Sequence, residues 1–205
     1  MIGIVDYGMG NLRSVWNALD SQAIEARVVK TAAEIEAVDR LILPGVGAYS
    51  QAMRELSGRE LVRPIQASVA SGKPMLGICL GMQLLVDHGN EPDPTEGLGL
   101  IGGECVLMPA APPQRLPHVG WNTVALARPH PVFEGLRANA DYYFVHSFMV
   151  RTLASIDALG RTDYGEPFVS VIARGNVVGV QFHPEKSQTN GLRILENFSS
   201  WDGTC

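Results

Sequence analysis

Cysteine, charged residues and long apolar runs are all scarce in this sequence. The three cysteines, at positions 79, 105 and 205, form no C-x-x-C pair, and their odd number fits free thiols in a reducing cytoplasm. Charged residues make up only 18% of the chain and form no basic run that could follow a phosphate backbone, so nucleic acid is not an expected partner. The longest apolar stretch, 75–86, is too short to span a bilayer, and no basic residue precedes Arg13. We therefore expect neither a membrane segment nor a signal peptide.

The composition that remains favours one folded domain. Hydrophobic residues make up 46% of the 205 residues and the formal net charge is -5, which excludes intrinsic disorder. A chain of this length buries enough surface to fold without a disulfide or a metal ion. We expect a single domain over residues 1–205, located in the cytoplasm.

Short apolar runs alternate with longer amphipathic runs in the first half of the chain. Strands are predicted at 2–6, 24–30, 40–43 and 75–78, and helices at 11–21, 48–57, 59–71 and 80–87. Thr31 and Glu34 form a capping box that begins a further short helix. Strands separated by helices pair in parallel through right-handed crossovers, so the pattern predicts a doubly wound α/β sheet of the flavodoxin-like type, with flanking helices.

The second half is richer in strands. They are predicted at 104–107, 123–126, 142–150, 168–173 and 177–182, with loops at 91–99 and 110–117 and a final helix at about 188–199. A turn is expected at Gly175-Asn176. These strands should extend the mostly parallel sheet with antiparallel pairs.

The segment Gly77-Ile-Cys79-Leu-Gly81 lies where a buried strand passes into a helix. This is the nucleophile-elbow pattern with Cys in place of Ser, and the two glycines remove β-carbons that would collide in so tight a turn. The elbow projects the thiol from the carboxyl edge of the sheet and places it at a helix N-terminus, which favours the thiolate. The alternative is a buried Cys that closes an apolar strand, but a plain strand end requires neither glycine.

A base for this thiol is predicted at His183, which ends the strand 177–182 and precedes Pro184. Residues i and i+2 of an extended segment project to the same side, so Glu185 can reach the His183 ring and fix its tautomer. Taken alone, the tripeptide could equally be an exposed surface turn.

Neither a metal nor a nucleotide cofactor is expected. No set of ligands has the spacing of a zinc site. The loop Gly8-Met-Gly10 lacks the third glycine of a dinucleotide fingerprint, because Arg13 stands there, and no acidic residue follows the second strand to bind a ribose.

Three blocks together resemble a known family. Pro44-Gly-Val-Gly47, Gly77-Ile-Cys-Leu-Gly-Met-Gln83 and His183-Pro-Glu185 are similar, in order and spacing, to those of the class I (triad) glutamine amidotransferases. Further blocks resemble the glutaminase subunits of imidazole glycerol phosphate synthase: Asp6-Tyr-Gly-Met-Gly-Asn11, Leu116-Pro-His-Val-Gly-Trp-Asn122, Tyr142-Tyr-Phe-Val-His-Ser147 and Lys186-Ser187. The resemblance spans nearly the whole chain.

The resemblance implies that L-glutamine is hydrolysed to glutamate and ammonia. The ammonia would pass to a separate cyclase subunit of imidazole glycerol phosphate synthase, a (β/α)8 barrel that forms a heterodimer with this chain. That cyclase makes imidazole glycerol phosphate and AICAR in histidine biosynthesis.

By position, the resemblance also implies a role for each matching residue. The catalytic triad would be Cys79, His183 and Glu185. The oxyanion donors would come from Leu80 and from the loop Gly45, Val46 and Gly47. The substrate would contact Gln83, Glu91, His146 and Ser147, with Gln83 one helical turn after the nucleophile. The surface facing the cyclase would contain Asn11, His118, Trp121, Asn122, Tyr143 and Lys186. Cys105 and Cys205 match none of the family's blocks.

Two other functions remain open at this point. A free-standing cysteine hydrolase, such as a γ-glutamyl peptidase, would use the same elbow but would leave the blocks at 116–122 and Lys186 unexplained. A catalytically silent binding module could keep the same fold, although the intact Cys, His and Glu argue against it.

Overall fold

The first half of the chain consists of strands connected by helices. The computed structural model describes residues 1–109 and 114–204. In chain order, the first elements are β1 (Ile2–Val5), α1 (Leu12–Asp20), β2 (Ala26–Val29), α2 (Ala32–Glu36), β3 (Arg40–Gly45), α3 (Tyr49–Gly58), α4 (Val62–Ala70), β4 (Met75–Cys79) and α5 (Leu80–Gln83). The four strands predicted here are all present, with ends that shift by no more than two residues.

The second half is dominated by strands. They are β5 (His88–Asn90), β6 (Pro94–Glu96), β7 (Gly103–Leu107), β8 (His118–Leu126), β9 (Ala140–His146), β10 (Phe148–Thr152), β11 (Ala158–Tyr164), β12 (Glu166–Arg174) and β13 (Val177–Val180). Single 3-10 turns lie at Pro131–Phe133, Ser155–Asp157 and Pro184–Lys186, and α6 (Gln188–Ser200) follows them. The predicted turn at Gly175-Asn176 connects β12 to β13.

These strands join in one sheet of order β2-β1-β3-β4-β13-β12-β10-β7-β5-β6. The pairs from β2 to β13 are parallel, whereas β12 pairs with β13 and with β10 in antiparallel fashion. A branch leaves β12 through β11 to β8 and β9. The prediction of a doubly wound parallel sheet extended by antiparallel strands is therefore confirmed. Parallel pairing dominates only from β2 to β13, because seven of the twelve strand pairs among the described residues are antiparallel.

The position of β13 decides where the C-terminal blocks of the sequence lie. This last strand inserts beside β4, with Val180 opposite Ile78, and β3 lies on the other side of β4, with Gly45 opposite Cys79. Because all three strands are parallel, the residues that follow them meet at one edge of the sheet. His183 is thus carried to the same edge as Cys79.

Helices cover both faces of the sheet. Adjacent residues of a strand point to opposite faces, so Ile4 packs in one cluster with α1 and α6 residues, including Phe198. Its neighbour Val5 packs in a second cluster with Leu56 of α3 and Ile65 of α4. The two clusters make the three-layer arrangement expected of a doubly wound fold.

Two helices begin at side-chain caps, one of which the sequence predicts. The Thr31 hydroxyl accepts a hydrogen bond from the Glu34 backbone amide, and the Glu34 carboxylate accepts one from the Thr31 amide, so the predicted capping box is confirmed. At the start of α1, the Asn11 side chain accepts a hydrogen bond from the Ser14 amide.

The predicted helix at 80–87 is wrong beyond Gln83. The amides of Leu98 and Leu100 donate to the carbonyls of Leu84 and Leu85, and the buried chain then turns into β5. Apart from Gln83 and Asp87 this run is apolar, so its sequence cannot distinguish a helix from an irregular buried segment.

Three smaller predictions also differ from the structure. The strand expected at 142–150 is interrupted at Ser147, where the chain leaves β9 and enters β10. The loop expected at 91–99 contains the short strand β6, and β11 was not predicted because Gly160 and Asp163 are poor strand formers. Residues 110–113, the first half of the loop predicted at 110–117, and Cys205 lie outside the described residues.

Within residues 1–109 and 114–204, no helix combines the length and the apolar character that crossing a bilayer requires.

Candidate active site

Cys79 occupies a tight turn between β4 and α5. Its φ is +55°, a left-handed conformation that is rare for a residue with a β-carbon and that marks a functional turn. The turn depends on close backbone approach, because a β-carbon on Gly81 would lie 1.8 Å from the Leu43 carbonyl oxygen. One on Gly77 would lie 2.7 Å from the carbonyl oxygen of Gly81. The elbow expected from the glycine spacing is therefore present.

The sulfur of Cys79 lies near polar atoms of two other segments, β9 and the residues that follow β13. The side-chain amide of Gln181 donates toward Sγ at 3.8 Å, and Sγ lies 3.9 Å from the carbonyl oxygen of Val145. Cys79 lines a cavity of about 250 Å³. That volume lies below the range typical of pockets for drug-sized molecules, so it suits a small ligand.

His183 and Glu185 form a buried pair at the same edge of the sheet. The Glu185 Oε1 atom lies 2.8 Å from Nδ1 of His183, and both side chains are almost completely buried. Because a carboxylate can only accept, Nδ1 carries the proton. The His183 backbone is fixed by its amide, which donates to the Tyr143 carbonyl, and by its carbonyl, which accepts from the Ser187 hydroxyl.

The other ring nitrogen, Nε2, has no hydrogen-bond partner among the described residues. His183 and Cys79 line one cavity, so this nitrogen is available for proton exchange there. Burial disfavours the His183 cation, but the neighbouring Cys79 sulfur and the Glu185 carboxylate outweigh burial and raise the pKa of His183 to about 9. This direction is that of an imidazolium paired with a thiolate.

Most of the residues predicted for the site border this cavity. The ones that line it are Val46, Gly47, Cys79, Leu80, Gln83, Glu91, His146, Ser147, His183 and Lys186. Val145 and Phe148 line it as well, and the sequence did not single them out. Gly45 does not line the cavity; it lies beneath, paired with Cys79 in the sheet.

The predicted oxyanion loop has one amide that is already engaged. The Val46 N–H donates to the Met9 carbonyl at 3.4 Å, a long bond. A β-carbon on Gly45 would lie 2.5 Å from the Tyr7 hydroxyl and 2.9 Å from Leu80 Cβ, so this loop packs directly against the elbow. Burial, followed by the charge of Cys79, raises the pKa of Tyr7, which keeps this phenol neutral.

Glu91 brings a carboxylate to the cavity. Its Oε2 accepts a hydrogen bond from the Tyr49 amide at 3.3 Å, and its own carbonyl accepts from the Ser50 amide, so α3 holds it in place. Burial raises the pKa of this carboxyl group. A half-buried carboxylate of this kind suits a ligand with an ammonium group.

The amide nitrogen of Gln83 and both ring nitrogens of His146 are engaged by the protein. The Gln83 amide nitrogen donates to the Phe148 carbonyl at 3.1 Å and to the Gln181 amide oxygen at 3.0 Å. The His146 ring lies 2.8 Å from the Phe148 carbonyl and 3.1 Å from the His118 ring. Gln181 was missed by the sequence analysis, although a polar residue within an otherwise apolar strand, two places before His183, was a signal.

Three residues predicted to face a partner, Trp121, Tyr143 and Lys186, lie together beside the cavity, and two more, Asn11 and Asn122, lie near them. Trp121 is 49% exposed and pairs with Tyr143 across β8 and β9, the two rings meeting edge to face. Lys186 Nζ lies 5.8 Å from the centre of the Tyr143 ring. Asn122 follows Trp121 and is partly buried. Asn11 is exposed at the start of α1, which packs against the 3-10 turn containing Lys186.

His118 differs from this expectation. It is only 3% exposed and stacks between Phe144 and Tyr164, so its side chain points inward from β8 rather than toward a partner. The alternation of a strand explains this, because His118 and Trp121 project from opposite faces.

Two cysteines differ clearly in their surroundings. Cys105 is fully buried and, unlike Cys79, does not line the cavity. Burial raises the pKa of its thiol, with smaller effects from Glu91 and Cys79.

No group of three or more potential metal ligands is assembled in the part of the chain that the structure describes.

Comparison with known proteins gives concordant results. Relatives named "Imidazole glycerol phosphate synthase subunit HisH" include one from Desulfitobacterium hafniense, 47% identical over 201 residues, covering 98% of this chain and 94% of the relative. Another, from Lacticaseibacillus casei, is 50% identical over 198 residues and covers 97% and 94%. A third, from Rhodopirellula baltica, is 46% identical over 201 residues and covers 98% and 97%.

Solved structures share the fold at lower identity. One titled "Crystal structure of glutamine amidotransferase" has a TM-score of 0.75 and 21% identity and covers 96% of both chains. A chain from "Structure of PurLQS from Thermotoga maritima" also has a TM-score of 0.75, with 18% identity and 96% coverage of both. The model of the family "Glutamine amidotransferase class-I" matches residues 3–200. The chain belongs to the class I glutamine amidotransferase family.

Proposed function

We propose that this chain is the glutamine-hydrolysing subunit of an imidazole glycerol phosphate synthase, acting as one catalytic domain over residues 1–205. The observation that carries the proposal is the placement of Cys79, on its strained elbow, in one cavity with His183, whose ring is held by Glu185. Relatives of 46–50% identity carry the name of that synthase subunit. Such a biosynthetic role places the protein in the cytoplasm.

The first half of the reaction forms a thioester. The Cys79 thiolate attacks the side-chain amide carbon of L-glutamine, and the carbonyl oxygen becomes an oxyanion. The Leu80 amide and the loop 45–47 donate to it, and a donor of this kind lowers the barrier by about 3 kcal/mol. His183 then gives the proton on Nε2 to the amide nitrogen, the C–N bond breaks, and ammonia leaves.

The second half releases glutamate. A water molecule gives a proton to Nε2 of His183 and attacks the thioester carbon. A second oxyanion forms in the same place, and the C–S bond breaks with the sulfur leaving as thiolate. Glu185 remains ionised throughout and stabilises the imidazolium through Nδ1.

The cavity provides groups that match the ends of the substrate. The Glu91 carboxylate suits the α-ammonium group, and Ser147 lies where the α-carboxylate end would be held. Gln83 contributes cavity wall, but both hydrogens of its amide already serve protein acceptors. No cofactor is required, because every proton and electron pair is supplied by the triad, the substrate and water.

The ammonia must leave in its neutral form to act as a nucleophile elsewhere. Protonation in bulk water would make it useless, so the mouth of the cavity should be covered by the protein that consumes it. Lys186 lines the cavity and also contacts Tyr143 on the surface that includes Trp121. We place the cyclase subunit, the (β/α)8 barrel expected from the resemblance, on this surface.

The test measures formation of glutamate from glutamine by the chain alone and together with a barrel cyclase and the cyclase's own ligand. Turnover should be slow for the chain alone and should rise in the complex. Equal turnover in both conditions would contradict a coupled subunit and would favour a free-standing cysteine hydrolase.

A pair of cysteine variants tests the chemistry within the same complex. Cys79→Ala should abolish synthesis supported by glutamine and leave synthesis supported by ammonia largely intact, because the cyclase is untouched. Cys105→Ala is the matched control, since this cysteine is equally buried but lies outside the cavity, and it should keep both activities. Loss of both activities in Cys79→Ala would indicate a structural role for the thiol.

A further inference from the structure

An uninterrupted chain of hydrogen bonds leads inward from β8 toward the cavity. The Asn122 amide nitrogen lies 3.3 Å from Nε2 of His118. Nδ1 of His118 lies 3.1 Å from Nε2 of His146, and Nδ1 of His146 lies 2.8 Å from the Phe148 carbonyl oxygen. Asn122 is partly buried, and its side chain projects from the same face of β8 as that of His118, opposite to Trp121.

The chemistry of the groups decides which atom donates in each hydrogen bond between Asn122 and the Phe148 carbonyl. A carbonyl only accepts, so Nδ1 of His146 carries a proton, and in a neutral ring Nε2 must then accept. His118 therefore donates from Nδ1 and accepts at Nε2 from the Asn122 amide. Burial lowers the pKa of His146 to about 3 and that of His118 to about 4, so both rings are neutral near pH 7.

The orientation of Asn122 agrees with this assignment. Its amide oxygen accepts from the Thr123 backbone amide at 2.8 Å, and its amide nitrogen also donates to the Asp163 carbonyl at 2.9 Å. The nitrogen is thus the atom that faces His118, as the direction requires.

The same Phe148 carbonyl begins a second part that ends at the nucleophile. It accepts from the Gln83 amide nitrogen at 3.1 Å, and that nitrogen also donates to the Gln181 amide oxygen at 3.0 Å. With its oxygen occupied, Gln181 presents its amide nitrogen to Cys79 Sγ at 3.8 Å. Gln83 and Gln181 are both buried, so neither amide can exchange these partners for water without cost.

We infer that Gln181 and His118 are positioning residues for the nucleophile. They belong to one connected network with two arms that meet at the Phe148 carbonyl. In the outer arm Asn122, His118 and His146 donate in turn toward that carbonyl. In the inner arm Gln83 donates both to the carbonyl and to Gln181, which donates to Cys79. Gln181 donates to the sulfur and is itself anchored by Gln83. His118 donates to the His146 ring, and that ring donates to the Phe148 carbonyl that anchors Gln83. This inference rests on the proposed glutaminase function.

Gln181→Met tests the inner end of the chain in the complete complex. Methionine keeps the length of the side chain but cannot donate to sulfur or accept from Gln83. We expect kcat for glutamine to fall roughly 10- to 100-fold with KM changed by no more than about twofold, because the lost contact acts on the nucleophile rather than on the substrate.

Ser170→Ala is the matched control for the loss of a buried hydrogen bond. The Ser170 hydroxyl is fully buried in the neighbouring strand and accepts from the Thr162 hydroxyl at 2.8 Å, without connection to Cys79. This variant should lose stability and keep kcat within about twofold. An equal loss of kcat in both variants would mean that general destabilisation is responsible, and the inference would fall.

A double-mutant cycle tests whether the two ends are one chain. His118→Phe keeps the stacking on Phe144 and Tyr164 and removes both hydrogen bonds, and alone it should lower kcat roughly 2- to 10-fold. Combined with Gln181→Met, the loss should be close to that of Gln181→Met alone. Fully additive losses would show two independent effects and would overturn the inference.

The direction of the chain can be measured without any activity. In ¹⁵N NMR spectra of the isolated wild-type chain at pH 7, His118 and His146 should both carry their single proton on Nδ1. A His146 ring protonated on Nε2 would refute the chain even if the glutaminase activity is present. Conversely, if the wild-type complex does not hydrolyse glutamine, the proposed function is refuted, whichever tautomers His118 and His146 adopt.

Discussion

Nδ1 of His183 lies 2.8 Å from Oε1 of Glu185, and the two residues are separated by a single proline in the chain. Pro184 keeps His183 extended, at φ -102° and ψ 98°, before the 3-10 turn begins. The pair is therefore preformed by local sequence, whereas its contact with Cys79 is formed only when β13 pairs with β4.

This arrangement predicts a ranking of variants in the complex. Glu185→Gln keeps the size of the side chain but removes the charge that stabilises the imidazolium, and it should lower kcat roughly 10²- to 10⁴-fold. His183→Ala removes proton transfer itself and should lower kcat about 10⁶-fold. Steady-state glutamate production measures both variants, and a larger loss in Glu185→Gln would contradict the roles assigned here.

The coupling between Cys79 and His183 predicts a spectroscopic change. Burial alone would lower the pKa of His183, and the Cys79 sulfur and Glu185 carboxylate together raise it to about 9. In Cys79→Ala, the attraction of the sulfur is lost while the burial remains, so the pKa of His183 should fall. An NMR titration of the imidazole follows this directly. An unchanged pKa would mean that Glu185 alone holds the charge.

Much of the site could be predicted because its blocks are contiguous in sequence. The elbow is contained in Gly77–Gly81 and the base with its carboxylate in His183–Glu185, so each motif is visible without the fold. Gln181 could not be assigned a role in this way, since its partner Gln83 is 98 positions away and is met only across the β4–β13 pairing.

Other parts of the fold were predictable only in outline. The helix predicted at 80–87 ends at Gln83, and its length was not predictable because so apolar a run carries little periodicity. His118 was placed on the partner surface with its whole block, whereas the alternation of β8 exposes Val119 and Trp121 and turns His118 inward. The split of the strand at Ser147 depends on pairing with two different neighbours, β8 and β7, which no local pattern encodes.

The close packing of the elbow predicts a large difference between two glycines. Gly81→Ala would place a β-carbon 1.8 Å from the Leu43 carbonyl oxygen, backbone that cannot move aside without distorting β3. We expect the free energy of unfolding, measured by urea denaturation, to fall by about 1–3 kcal/mol. Gly58→Ala is the control. A β-carbon at this position, at the end of α3, would meet no other part of the fold within 4 Å, so the variant should be neutral or slightly stabilising. Equal effects would contradict the packing described.

The proposed partner surface predicts that substitutions at two exposed residues, Trp121 and Leu153, change cyclase binding to different extents. Trp121→Ala removes a large aromatic side chain beside the cavity and should weaken binding of the cyclase by about 2 kcal/mol, the loss typical of a central aromatic contact. Leu153→Ala is the control, because Leu153 is 80% exposed but lies near Gly102 and Arg174, toward the opposite edge of the sheet. Isothermal titration measures both variants, and similar losses would place the partner elsewhere.

His130 predicts how stability depends on acid. Burial, with a smaller effect from Arg128, lowers its pKa to about 4, whereas an unfolded histidine titrates near 6.5. The unfolded state thus binds more protons below about pH 6.5, so the stability contributed by the neutral ring is complete above that pH and is lost as the pH falls toward 4. Nδ1 of His130 accepts from the Val132 amide at 3.2 Å, a cap that asparagine can also make.

The variant His130→Asn should therefore lose less stability between pH 7 and pH 5 than the wild type does. We expect a difference on the order of 1 kcal/mol in the free energy of unfolding, measured by urea denaturation. An equal loss in the wild type and in His130→Asn would contradict the buried neutral state of His130.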